Sequence, residues 1–278
     1  MTTTMNKMNI FLLDRDKTRS EHLSRFNGRV CVTLEDIVEA TSQANIYSIW
    51  ISCLAEMTDM FLQATHSIRP VSKLNRTLGN YLMLQPPSRT STFFSLDGMF
   101  SRVAGGQVGG FLPLEELIEV LAAPAAESQD LFLGGTVDLV TQNLALVRGN
   151  FKPVTVPLSM FQPTDTGVVP DPSRFSVSDY GHVIHLGDFE IAADAILYEV
   201  DPHFRRRVNA LRRSEEQGFG ASLRRLRIAR GLRQGDFPPI SSKTIARIER
   251  GEIEKPHRET LEVLSSRLGV TPESIETY

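Results

Sequence analysis

The stretch Ile240-Ser241-Ser242-Lys243-Thr244-Ile245-Ala246-Arg247-Ile248-Glu249-Arg250-Gly251 decides how this chain of 278 residues is read. Ser241 is a good helix N-cap, its hydroxyl placed to accept from a backbone N–H that the first turn leaves unpaired. Gly251 supplies the left-handed residue on which many helices close. The spacing predicts a short helix from Ser242 to Arg250. Ile245 and Ile248 fall on one face and require burial, while Ser242, Lys243, Thr244 and Arg247 fall on the other as hydrogen-bonding groups of graded length.

The flanks extend the pattern. Upstream, Leu223, Leu226, Ala229 and Leu232 repeat at helical spacing, Gly231 breaks that helix, and Leu232-Arg233-Gln234 opens a second short one. Downstream, Leu261, Leu264 and Leu268 line a further helix ended by Gly269, and Thr271-Pro272-Glu273 restarts the chain with an N-cap, a proline at the first helical position and an acidic first turn. This order resembles the Cro and lambda-repressor (XRE) type of helix-turn-helix, carried here by Gly231-Leu232-Arg233-Gln234 and by Thr244 to Gly251. The resemblance implies an all-α lambda-repressor-like bundle at the C-terminus and double-stranded DNA as partner. It also implies Arg233, Gln234, Ser241, Ser242, Lys243, Thr244 and Arg247 as DNA-binding residues. The polar face of the helix suits the major groove, where Lys or Arg reads guanine edges and Ser or Thr makes adaptable contacts. Gln234 matches a family position that anchors a backbone phosphate. Between Gln234 and Ile240 the chain is roughly three residues shorter than the family's usual second helix and turn, and Pro238-Pro239 limits that helix to about one turn.

Charge is distributed in agreement with this. Residues 203–258 hold 15 Lys/Arg and 6 Asp/Glu, a net of +9, whereas residues 1–202 carry −9 and residues 259–278 carry −3. A basic block on the helix-turn-helix is the footprint of a phosphate-binding surface, and the acidic remainder is expected to avoid DNA. The two cysteines, Cys31 and Cys53, have neither metal-ligand spacing nor a C-x-x-C pair, and read as reduced, buried thiols. No leader and no membrane-length apolar run is legible, so a cytoplasmic protein without membrane contact is expected.

Toward the N-terminus, Met1 to Lys7 reads as a frayed end. Asn9 to Leu13 reads as a buried strand, Lys17 to Phe26 as a helix, Arg29 to Thr33 as a strand, Leu34 to Ala40 as a helix and Ile46 to Cys53 as a third strand. The acids Asp14 and Asp16 at the first strand end invite comparison with two-component receiver domains, which hold Mg²⁺ there. The phosphoacceptor aspartate is missing, because the third strand ends in Ile51-Ser52-Cys53-Leu54. A degenerate receiver-like domain, another α/β domain and a mostly helical one all stay open. Gly105-Gly106-Gln107-Val108-Gly109-Gly110 fits neither the P-loop nor G-x-G-x-x-G and reads as a flexible turn. Leu112 to Ala122 reads as an amphipathic helix with Leu114, Leu117, Ile118 and Leu121 inward and Glu115, Glu116 and Glu119 exposed. Ala122 to Gln129 reads as a linker.

Beyond it, Leu144 to Val147 and Val154 to Leu158 read as a hairpin, Tyr180 to His185 as a strand and Ile191 to Tyr198 as a helix. The run Val156 to Phe161, with Gly181 to His185, Asp188 and Asp194 to Leu197, resembles a small bacterial domain family of unknown function. That family is associated with toxin–antitoxin gene pairs and has no established catalytic residues. His182 and His185, three apart in a strand, face opposite sides and do not suit one metal ion. In the basic helix after Pro202, Phe204, Val208 and Leu211 are spaced to pack, Arg205, Arg206, Arg207, Arg212 and Arg213 stay wet, and Gly218 and Gly220 flank Phe219 as a hinge.

The expected architecture is multidomain α+β. It comprises an N-terminal α/β or mixed domain over 1–129, a small α+β domain over 130–201, a basic linker helix over 202–218 and the helix-turn-helix over 219–278. The expected function is that of a bacterial or phage-type transcriptional regulator, a repressor by resemblance, that binds DNA as a homodimer. The first two thirds are expected to serve dimerisation or sensing, with no enzyme activity, cofactor or metal. The alternative is an antitoxin or interaction protein whose acidic N-terminal domains bind a partner protein while the C-terminus regulates its own operon.

Overall fold

All four apolar residues of the first strand are buried, a pattern that requires both faces of its sheet to be covered. The computed structural model describes residues 8–68, 75–107, 109–165, 167–215 and 218–276, so the N-terminal segment expected to fray, through Lys7, lies outside the described residues. The chain forms two compact units, Met1–Val200 and Asp201–Tyr278.

In the first unit, β1 (Ile10–Leu13), α1 (Ser20–Ser24), β2 (Gly28–Cys31), α2 (Leu34–Gln43), β3 (Ile49–Ser52), α3 (Ala55–Ile68), β4 (Asn80–Met83), α4 (Ser91–Met99) and β5 (Arg102–Gly105) alternate along the chain. The strands pair in parallel in the order β2-β1-β3-β4-β5, the doubly wound order shared by flavodoxin and receiver-type proteins. Of the readings left open, the structure selects this α/β arrangement. One face packs an aromatic cluster in which Trp50 lies 4.4 Å from Phe11 and 5.0 Å from Phe61, between ring centroids. The Trp50 indole N–H donates to the Leu78 carbonyl at 3.0 Å, so its burial leaves no polar atom unpaired.

At the carboxyl end of β1, where receiver domains hold their cation, the Asp14 carboxylate accepts the Arg15 backbone N–H at 2.7 Å and pairs with the Arg19 guanidinium at 3.1 Å. The helix expected from Lys17 is regular only over α1. Asp16 caps a preceding 3₁₀ turn at Lys17–Arg19 by accepting the Thr18 N–H. Burial pushes the Cys31 and Cys53 thiols up to about 12, so both are poor nucleophiles at neutral pH.

The chain then forms β6 (Gly110–Phe111), α5 (Leu114–Ala122), α6 (Ala125–Ser128), β7 (Phe132–Asp138), β8 (Asn143–Arg148), β9 (Pro153–Pro157), β10 (Phe175–Ser178), β11 (Val183–Leu186), β12 (Phe189–Ala192) and α7 (Ala193–Val200). Strands β6-β7-β8-β9 make one antiparallel sheet and β10-β11-β12 another. The hairpin β8–β9 pairs Leu144 with Val156 and Leu146 with Val154, as the alternation predicts.

Four expectations need correction here. Across the boundary expected after Gln129, β6 at Gly110–Phe111 pairs with β7 at Gly134–Gly135, on the far side of the supposed linker. That linker contains α6, and Asp130 beside it pairs at 2.9 Å with Arg148, whose side chain is 7% exposed. Glu116, expected in solvent, is half-buried and accepts the Tyr180 backbone N–H at 2.9 Å. The expected strand at Tyr180 starts only at Val183, because Asp179, Tyr180 and Gly181 all have positive φ and turn the chain. The expected helix at Ile191 starts only at Ala193, since Ile191 and Ala192 complete β12. His182 thus lies before the strand, while His185 hydrogen-bonds Ser178 Oγ through Nε2 at 2.7 Å on the half-buried face of this sheet.

The second unit contains α8 (Pro202–Glu215), α9 (Phe219–Ala229), α10 (Ser242–Glu249), α11 (Arg258–Leu268) and α12 (Pro272–Glu276). Asp201 caps α8 by accepting the His203 and Phe204 N–H groups at 2.8 and 3.2 Å. Phe204 is buried, Arg206 and Arg207 are exposed and Arg205 is half-buried, but Leu211 is 58% exposed and does not continue the expected packing stripe. The side chains of Arg212 and Arg213 lie outside the described residues. Leu223, Leu226, Phe237, Ile245, Ile248, Leu264, Leu268 and Ile275 form the core of the bundle.

Candidate nucleic-acid interface

Helix α10 is built as its sequence dictates. Ser241 Oγ accepts the Thr244 N–H at 3.1 Å, Gly251 closes the far end with φ 76°, and Ile245 and Ile248 are buried. The opposite face presents Ser242, Lys243 and Arg247 to solvent. Thr244 is half-buried and its hydroxyl lies 2.9 Å from that of Ser241, so these two side chains are engaged in the cap.

No second helix forms between α9 and α10. The segment Arg233 to Ile240 is two consecutive tight turns, closed by the Asp236 N–H on the Arg233 carbonyl at 3.0 Å and the Ile240 N–H on the Phe237 carbonyl at 2.8 Å. The expected single helical turn is lost for local reasons. Asp236 turns its carboxylate back onto the Arg233 N–H at 2.6 Å, Gly235 weakens helix, and the two prolines contribute no N–H to a helical ladder. Two interactions position this segment. Phe237 is fully buried, with Leu232 and Ile240 packed beside the same core, and Arg267 of α11 donates to the Asp236 carbonyl at 2.7 Å.

Gly220, read from the sequence as part of a hinge, lies inside α9 and is buried. A Cβ there would come within 2.1 Å of the Ile248 carbonyl oxygen, so the missing side chain lets α9 press against the end of α10.

Sequence reasoning missed the polar clamp beneath the helix. Arg227 of α9 meets Glu249 of α10 through both carboxylate oxygens, at 2.5 and 3.0 Å, with side chains 11% and 4% exposed. Arg227 also donates to the Leu232 carbonyl at 2.8 Å. Gln234 completes the group by donating its side-chain amide to Glu249 at 2.7 Å. The structure therefore places Gln234 in an internal network that fixes the turn against α10, while Arg233 stays exposed. Glu249 lies one residue after buried Ile248, in the motif that carried the resemblance, and only the fold brings Arg227 to it.

A second acid governs the exposed face. Glu252 accepts from Arg250 at 2.6 Å and from Arg247 at 3.2 Å. The guanidinium groups of Arg250 and Arg247 hold its carboxyl below the usual range. Of the seven residues expected to meet DNA, Ser242, Lys243 and Arg247 are thus gathered on one exposed face. Ser241 and Thr244 cap that face, and Arg233 and Gln234 belong to the turn before it.

Residues 219–277 match a family described as a helix-turn-helix domain, which coincides with the bundle from α9 to α12. No curated protein and no solved structure matches the chain. The C-terminal unit accordingly carries a helix-turn-helix DNA-binding domain. Among the described residues, no helix is long and apolar enough to cross a membrane.

Proposed function

We propose that this protein is a cytoplasmic, sequence-specific transcriptional regulator of the XRE type that recognises an operator with α10. Residues 1–200 serve dimerisation or signal sensing and take no part in DNA contact. The observation that carries this reading is the coincidence of the helix-turn-helix match with an exposed Ser242, Lys243 and Arg247 face inside the one strongly basic segment of the chain. Dimerisation follows from specificity, since one half-site discriminates poorly and paired half-sites are read about one DNA turn, roughly 34–36 Å, apart.

Lys243→Ala is expected to cost about 1–3 kcal/mol of operator binding and to relax preference at one base position. Binding by the intact protein should fall steeply with salt, because phosphate neutralisation releases counterions. The check is selection of binding sites from random duplexes by the protein and the variant, followed by titration at several salt concentrations. A uniform loss over all sequences would remove Lys243 from base readout, and salt-independent binding would remove the electrostatic footing.

Glu252 supplies a further expectation. It draws Arg247 and Arg250 onto its own carboxylate and adds a negative charge beside the phosphate path. Glu252→Gln should tighten DNA binding by roughly 3- to 10-fold at low salt, with a steeper salt dependence. Titrations of the two proteins in parallel decide it, and unchanged affinity means that the acid does not compete with DNA for the two arginines.

A further inference from the structure

We propose that the first unit holds a binding site for a small, uncharged, ring-containing molecule in the cavity between β5 and the sheet β6-β7-β8-β9. The cavity has a volume of about 210 Å³ and is partly open to solvent. Small residues line it: Ala104 and Gly105 on β5, Gly135 and Thr136 on β7, and Ala145 on β8. Gly105 has φ 78°, and a Cβ there would lie 1.9 Å from the Met83 carbonyl oxygen, so this lining position carries no side chain. Of the glycine-rich run, Gly105 and Gln107 line the cavity, a role the spacing did not disclose.

The walls set the chemistry of the occupant. Phe111, Leu146, Val147, Phe151 and Pro153 supply apolar surface, and Gln107 brings an amide to the rim. β5 is the last strand of its sheet, so alternate backbone N–H and C=O groups along it point away from β4. Among the described residues, no Asp, Glu, Lys, Arg or His lines the cavity, so no side-chain charge compensates the desolvation of a charged ligand. An apolar protein cavity of about 150 Å³ accommodates benzene, which scales this one to a single ring or fused ring pair bearing one amide or N–H group. A ring that displaces water from the apolar walls while meeting the polar groups of the edge strand gains affinity.

The test uses the full-length protein with indole and benzamide as neutral probes, and benzoate and benzylammonium as charged ones of matching size. Saturation-transfer NMR at millimolar probe should show both neutral compounds bound, with the charged pair at least about 10-fold weaker. Amide shift changes in ¹⁵N-labelled protein should centre on Ala104, Ala145 and Val147. Ala145→Phe should fill the cavity and abolish the signal while the circular dichroism spectrum and melting temperature are kept. If that variant misfolds, the shift map of the unaltered protein decides. Absence of binding, shifts centred elsewhere, equal binding of the charged probes, or undiminished binding to folded Ala145→Phe each overturns the proposal.

Discussion

Phe237→Ala unfolds the C-terminal unit and with it abolishes DNA binding, although Phe237 itself lies away from any groove. Its ring is fully buried in the core formed by α9, α10, α11 and α12. In most helix-turn-helix domains a regular second helix shares the work of seating the recognition helix. Here two turns replace that helix, and Phe237 is their one fully buried side chain, with Leu232 and Ile240 only partly covered. Truncating a buried phenylalanine costs about 3–5 kcal/mol, which is comparable to the whole stability of a domain this small. Thermal melts of the fragment 201–278, which keeps the Asp201 cap of α8, read the outcome directly. The companion variant Arg247→Ala, on the exposed face, should weaken binding and leave the melt nearly unchanged. A folded Phe237→Ala fragment with normal melting would show that the turns are held by other contacts.

Glu249→Ala is the second large effect, and it acts by leaving a charge alone. The carboxylate is almost fully enclosed and receives Arg227 twice and Gln234 once. Removing it strands the Arg227 guanidinium at 11% exposure, and breaking such a pair costs about 3–5 kcal/mol. The pair as a whole need not be strongly stabilising, since desolvation offsets much of its attraction. The double variant Arg227→Met/Glu249→Leu should therefore melt close to the unaltered fragment, while either single truncation melts far below it. A Glu249→Ala fragment as stable as the original would mean that water reaches Arg227 in solution. Gln234→Ala should lie between these cases, at about 1.5–3 kcal/mol for one hydrogen bond to a charged group. Any uniform loss of DNA affinity in that variant would then include misplacement of α10, which the Gln234–Glu249 hydrogen bond holds in place.

Glu249 and its partner Arg227 mark where sequence reading stopped. The recognition helix was legible in detail, because an N-cap serine, two isoleucines three apart and a closing glycine are local signals that depend on neighbours in the chain. The buried strands β1 and β3 were legible for the same reason, as continuous apolar runs. The β8–β9 hairpin showed itself by alternation. Strand β6 was not legible, since two residues inside a glycine-rich run have no pattern of their own and become a strand only because β7 pairs with them. The order β2-β1-β3-β4-β5 likewise depends on which strands meet.

By itself, then, the sequence determined the C-terminal helices, the basic character of the segment carrying them, and the exposed row of Ser242, Lys243 and Arg247. Only the tertiary structure decided that the second helix is replaced by turns, that Gly220 is a packing contact, and that Arg227 and Gln234 converge on Glu249. It also decided that β6 and α5 belong with the sheet that follows them. The division has one physical cause. Capping and periodicity act over a few residues and are written in adjacent letters, whereas buried ion pairs, close backbone approaches and strand partners form between residues far apart in sequence, where packing alone selects them.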